Sequence, residues 1–209
     1  MKSYPTKWSV LGLAALLAGA VAGTSAYAQT QDPQPKTEVG QRKENQQDRI
    51  ANGVQSGQLT AGETAKLEKK EAAINKETAA DRAANGGKLT GAEKAQINRQ
   101  QNRVSNQIYR DKHNANTAHY GNNAVGQRRE NQQDRIAQGI KSGQLSAGET
   151  AKLENQQKTI NRQVAADRAA NGGKLTQSEK AQINKEQNKT SRSIYNKKHN
   201  GRTQPGTKH

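Results

Sequence analysis

Residues 40–113 are written a second time at residues 126–199. The two segments align at a constant offset of 86 residues without a gap, and 51 of the 74 aligned positions are identical. A period this long makes the repeat unit the object that must fold. No proline occurs between residues 36 and 204, so glycine is the residue left to stop a helix.

Two turn signals recur in each unit. The first runs from Ser56 to Glu63 (SGQLTAGE) and again from Ser142 to Glu149; the second runs from Asn85 to Glu93 (NGGKLTGAE) and again from Asn171 to Glu179. In each, a glycine suits the left-handed position that ends one helix. A leucine then turns inward, and Thr or Ser caps the next helix. A glutamate three residues on can reach back to the cap's own N–H, which closes a capping box. The pairs Thr60/Glu63, Thr90/Glu93, Ser146/Glu149 and Thr176/Glu179 therefore mark four helix starts. They predict helices over 38–56, 61–85 and 91–112, then 124–142, 147–171 and 177–198.

Apolar spacing inside these segments is helical. Ile50 and Val54 are four apart, Leu67 and Ile74 seven, and Ile97, Val104 and Ile108 follow the seven-then-four rhythm of a coiled-coil seam. Ala65, Ala79, Ala83 and Ala95 are expected to fill the flanks of these stripes. Short turns make neighbouring helices antiparallel. Asp48–Gly53 (DRIANG) resembles Asp81–Gly86 (DRAANG), so each unit reads as two related hairpins. The fold class expected is all-α: two tandem three-helix units of antiparallel helical hairpins. Each unit carries ten Leu, Ile or Val, so its own core is thin and it gains by packing on its twin, a second chain or a partner.

The ends carry different signals. Lys2 and Lys7, the apolar run 10–22 and Ala26-Tyr27-Ala28 have the order of a secretory signal peptide cut after Ala28. The run is too short to span a bilayer. The expected layout is a signal peptide at 1–28, a flexible leader at 29–37, helical repeats at 38–113 and 126–199, a linker at 114–125, and a basic disordered tail at 200–209. That layout implies a periplasmic or secreted protein with no transmembrane segment after cleavage. The chain has no Cys, so no disulfide supports it. Without Lys2 and Lys7 it holds 32 basic against 18 acidic residues, a balance that favours acidic partners.

Candidate chemistry is sparse. The basic runs Gln41-Arg42-Lys43 and Gln127-Arg128-Arg129 could grip anionic groups, and Tyr109 and Tyr195 are the aromatic residues inside the units, expected to pack over the bundle ends. Arg42, Lys43, Arg128, Arg129, Tyr109 and Tyr195 are thus the candidate partner-binding residues. His113 and His199 fall where the negative end of a helix favours a basic side chain. No nucleophile elbow, phosphate loop or metal-ligand cluster occurs, which argues against an enzyme and against a cofactor.

The turns carry two resemblances. Gly57, Leu59 and Glu63, with Gly143, Leu145 and Glu149, match positions six, eight and twelve of an EF-hand loop, although positions one, three and five lack its oxygen ligands. An ion-binding alternative would draw on Asp81, Glu93, Asp167, Glu179, Glu63 and Glu149. The Leu-Thr/Ser-x-x-Glu turns at Leu59, Leu89, Leu145 and Leu175 also resemble the Leu-Thr-x-x-Gln hairpin turns of the Spy/CpxP group of periplasmic helical proteins, with Glu in place of Gln. That resemblance implies a chaperone-like or stress-related envelope role. The function expected is a non-catalytic exported binding protein whose basic helical faces hold acidic or unfolded proteins or other polyanions, with a homo-oligomer possible. The alternatives are a degenerate EF-hand-like calcium or other metal-ion binder, and a polyanion-binding structural protein of matrix or cell surface.

Overall fold

The computed structural model describes residues 37–204, so the signal peptide, nearly all of the leader and residues 205–209 of the tail lie outside the described residues. The described residues form six helices and no strand. They are α1 (Glu38–Gln55), α2 (Ala61–Ala84), α3 (Gly91–Lys112), α4 (Ala124–Lys141), α5 (Ala147–Ala170) and α6 (Gln177–Lys198).

The caps explain why the ends fall within a residue of those expected. Thr60, Thr90 and Thr176 each accept the N–H of the glutamate three residues on, while that glutamate accepts the cap's own N–H at 2.7–2.9 Å. At Ser146 the Glu149 carboxylate takes both the cap N–H, at 3.2 Å, and its hydroxyl, at 2.8 Å. Each such cap contributes about 1 kcal/mol. Gly57 and Gly143, at φ 70° and 71°, turn the chain out of α1 and α4. Leu59 and Leu145 then donate their N–H back to Gly53 and Gly139.

Within a repeat, α2 runs antiparallel to both α1 and α3, and α1 and α3 lie parallel. The polar sequence enters the core through glutamine clasps. Gln46 donates to the Gln101 carbonyl at 2.6 Å and to Ser105 Oγ at 2.9 Å, and Gln101 donates to the Val39 carbonyl at 2.9 Å. Gln132, Gln187, Ser191 and Val125 repeat this between α4 and α6. A buried amide is tolerated because a backbone carbonyl accepts its N–H. Of the ten aliphatics per unit, all are buried except Leu89 and Leu175, which are partly covered. Ala65 is buried, but Ala79, Ala83 and Ala95 are exposed. α1 ends its cover of α2 near Ile74, and the hairpin tips beyond it have no third helix, which corrects the flank-filling expected of those alanines.

The two repeats do not stand apart. The most extensive helix pair is α2 against α5, followed by α1 against α4, and one hydrophobic cluster runs through both repeats. Gly62 lies against Lys158, and Ala72 beside Gly148 is the same pairing shifted by 86 residues in each partner. The repeats are therefore related by a local two-fold axis near Leu67 and Leu153, like the two halves of an isologous dimer. Contacts α1–α2, α2–α5, α5–α4 and α4–α1 close a four-helix ring. α3 covers the outside of α1 and α2, and α6 the outside of α4 and α5, so α3 and α6 lie on opposite faces.

Nor does the chain leave the fold at His113 or His199. Asn114 donates to Glu63 at 2.8 Å, and Ala118 donates its N–H to the Gly57 carbonyl at 2.8 Å. Asn200 does the same to Glu149 at 2.6 Å, and Gln204 to Gly143 at 2.8 Å. Gln204 is buried and its side chain accepts the Ala147 N–H. Residues 114–118 and 200–204 are matching straps across the first turn of each unit. This corrects a tail expected to be disordered from residue 200.

Candidate functional site

The outer surface of α3 carries Arg99, Arg103 and Arg110, all exposed. Spacings of four and seven residues place them on one stripe of the helix. On α6 the corresponding stripe holds Lys185, Lys189 and Arg192. On α6 Glu186 stands beside this stripe, one residue after Lys185 and three before Lys189; the other acidic residues of the two helices sit elsewhere. Glu93 and Glu179 are engaged by caps and by Asn85 and Asn171, and Asp111 is buried and accepts from Gln107. Arg99, Arg103, Lys185, Lys189 and Arg192 make no ion pair or hydrogen bond with other described residues. The α3 stripe is thus an uncompensated line of cations, and the α6 stripe has three cations against the single carboxylate of Glu186.

Beside each stripe stands an exposed aromatic pair. Tyr109 and Tyr195 are 60% and 61% exposed and stack on His113 and His199 with ring centroids 4.2 Å apart. Nδ1 of each histidine lies 2.7 Å from the tyrosine carbonyl, which can only accept, so Nδ1 carries the proton. The tyrosines do not pack over the bundle ends as expected. The helix turns them away from the seam that Ile108 and Ile194 enter, and the histidine ring covers one side only.

The basic residues singled out from sequence are largely used inside the fold. Arg42 donates to Asn102 at 2.7 Å and pairs with Glu38 at 3.1 Å. Arg128 donates to Asn184 and Asn188, again tying the first helix of a repeat to its third. Lys43 is half-buried, and desolvation lowers its pKa against the pull of Glu71. Arg129 is buried, with its guanidinium 5.3 Å from the Tyr120 ring centroid, and does not reach the surface. Tyr120, read only as part of a linker, is the partner that makes this burial tolerable. The stripes on α3 and α6 are not runs of adjacent basic residues, so local charge clustering does not reveal them. Their own signal is the helical spacing of single cations, with no acid between them on α3 and one, Glu186, on α6.

The carboxylates of the ion-binding alternative are engaged by protein donors. Glu63 accepts from Thr60 and Asn114, Glu149 from Ser146 and Asn200, and Glu93 and Glu179 from their caps and Asn85 or Asn171. Burial works to raise the carboxyls of Glu63 and Glu149, yet these hydrogen bonds hold both below the ordinary range. Asp167 accepts from Gln163 at 2.6 Å. Asp81 is held above its ordinary value by desolvation and the nearby charges of Glu93 and Glu77. Among the described residues no group of three or more His, Cys, Asp or Glu is placed to share an ion, and no helix is long and apolar enough to cross a membrane. Comparison of the chain with family models, with curated proteins and with solved structures found no match.

Proposed function

We propose that this chain is a non-catalytic, exported binding protein that holds acidic partners on the outer faces of α3 and α6. The observation that carries this reading is the pair of cationic stripes, the one on α3 with no acid within it and the one on α6 with Glu186 alone against three cations, each flanked by an exposed Tyr–His stack. Neutralising phosphates or carboxylates there releases counterions, so binding is governed by salt. The tyrosine face adds a flat apolar contact that tolerates many partners. Tyr109 and Tyr195 are the large hydrophobic side chains exposed among the described residues. An unfolded client would therefore be held chiefly through its acidic segments, which narrows a chaperone-like role to acidic clients. The signal-like N-terminus supports a site of action in the periplasm or outside the cell.

The test is a salt series of binding to single-stranded DNA and to poly-glutamate, compared with the variant Arg99→Glu/Arg103→Glu/Lys185→Glu/Lys189→Glu. Wild type should bind both at low salt and weaken steeply with added salt. The variant should lose binding while keeping its helical circular dichroism. Binding that ignores salt, or that survives in the folded variant, would refute the proposal.

A further inference from the structure

The seam between the repeats is acidic and closed to bulk solvent. Glu68 on α2 and Glu154 on α5 are equivalent residues beside the two-fold axis, and each is 0% exposed. Each carboxylate accepts one hydrogen bond, from Gln47 at 3.3 Å and Gln133 at 3.0 Å, and Oε1 of each accepts none. One turn on, Glu71 is also 0% exposed and neither of its oxygens accepts a bond. Buried carboxylates in this condition cannot all be ionised. The local alternative to a missing donor is a proton on the acid itself.

The surrounding charges do not supply a counterion for the pair. From α1, Lys43 faces Glu71, with Arg82 of α2 repelling Lys43 from behind. From α5, Glu154 faces Glu68. α4 brings the neutral Gln133, and its Arg129 is turned onto Tyr120, which itself feels Glu154. Lys158 of α5 packs along Gly62, a turn away. α3 and α6 turn Ile97, Gln101, Val104, Ile183, Gln187 and Thr190 inward, and the buried Asp111 is bonded to Gln107.

We propose that the α2–α5 seam is a proton-operated latch: protonated Glu68 and Glu154 let the two repeats close on each other, and loss of those protons as pH rises loosens them. Burial pushes Glu154 up to about 8 against the bond from Gln133. It raises Glu68 well above the ordinary range, helped by the charges of Glu71 and Glu154. It pushes Glu71 up to about 7, opposed by Lys43. The sign follows from linkage. Between the unfolded carboxyl range and pH near 8 the folded chain holds protons that the unfolded chain has released. Stability is then fully present below the unfolded value and is lost as pH rises through that interval. The second repeat already carries Gln157 where the first has Glu71, so an amide fits this seam.

The experiment is urea unfolding of the full mature chain and of Glu68→Gln/Glu154→Gln at pH 5.5, 6.5 and 7.5. Comparing the two cancels the charge terms they share. The folded-to-unfolded ratio of wild type, relative to the variant, should fall by up to about tenfold per pH unit for each proton held, about a hundredfold for two. A protonated-carboxyl band in the infrared spectrum at pH 6.5 should shrink in the variant. Parallel pH profiles for the two chains, or an unchanged band, would overturn the proposal. So would calcium-dependent stabilisation of wild type at pH 8.5 that the variant lacks, since a cation would then be doing the proton's work.

Discussion

Gly139 offers a sharp test of the packing between a helix and its own exit turn. On backbone preference alone, replacing a glycine inside α4 by alanine stabilises by about 0.5–1 kcal/mol. The structure predicts the opposite. A Cβ at residue 139 would lie 2.6 Å from both Cγ and Cδ1 of Leu145 and 3.5 Å from its Cβ. Carbon atoms prefer about 3.5–4.0 Å, so the branch point of the leucine must move by about 1 Å. It has nowhere to go: Leu145 is 0% exposed, and its N–H is bonded to the Gly139 carbonyl at 2.9 Å. Overpacking of this kind costs about 1–3 kcal/mol, and because the buried Leu145 cannot give way the cost falls in the upper half of that range, which leaves a net loss of about 1–2 kcal/mol after the backbone gain. For a chain of this size that is a fall in Tm of about 2–8 °C. Gly148→Ala supplies the control, because a Cβ there meets nothing within 4 Å. It should raise Tm or leave it unchanged. Gly53→Ala, facing Leu59 at 2.6 Å, should behave like Gly139→Ala. Thermal melts of the three variants decide the matter. If Gly139→Ala melts at or above wild type, the account of the Gly–Leu contact is wrong.

Two further outcomes follow from the caps and straps. Thr176→Ala removes the acceptor for the Glu179 N–H but leaves the Glu179 carboxylate on the residue-176 N–H, so urea unfolding should show a loss of about 1 kcal/mol, not a collapse of α6. Truncation after His199 removes the Asn200 bond to Glu149 and the Gln204 bonds to Ala147 and Gly143, so the Glu149 carboxyl, followed by NMR titration, should rise from its lowered position. A lowered carboxyl stabilises above its unfolded range and loses that contribution as pH falls through its folded value. The truncated chain should therefore show a weaker acid-dependent loss of stability and a lower Tm at neutral pH.

How much of this was legible in the sequence depends on the range of the interaction. Helix ends were readable because capping is decided within four residues: Thr90 and Glu93 find each other wherever the chain goes. The aliphatic core was readable because its spacing repeats with the helix. The seam between repeats was not. The α2 face that meets α5 presents Thr64, Glu68 and Glu71, residues that hydrophobic periodicity assigns to solvent. They are inside because an equivalent helix covers them, and that fact belongs to the pairing of distant segments. The straps were hidden for a similar reason. Asn114 and Asn200 have the composition of a linker, and only the carboxylates of Glu63 and Glu149 make them anchors. Among candidate site residues, Tyr109 and Tyr195 proved accessible. The neighbouring pairs Arg42-Lys43 and Arg128-Arg129 were drawn inward, because consecutive residues on a helix point in different directions and at least one meets a neighbouring helix.

The local two-fold axis also bears on what a single chain gains over two. An interface in which each half offers the other the same patch is what two separate copies of one short ancestor would form. In a single chain that meeting is internal and independent of protein concentration, at an effective concentration that residues 114–123 hold high. Each half is also free to differ from the other: Lys43 with Glu71 in one half stands where Arg129 with Gln157 and a tyrosine contact stand in the other. Such asymmetry is closed to a dimer of identical chains, in which any change appears twice across the axis at once.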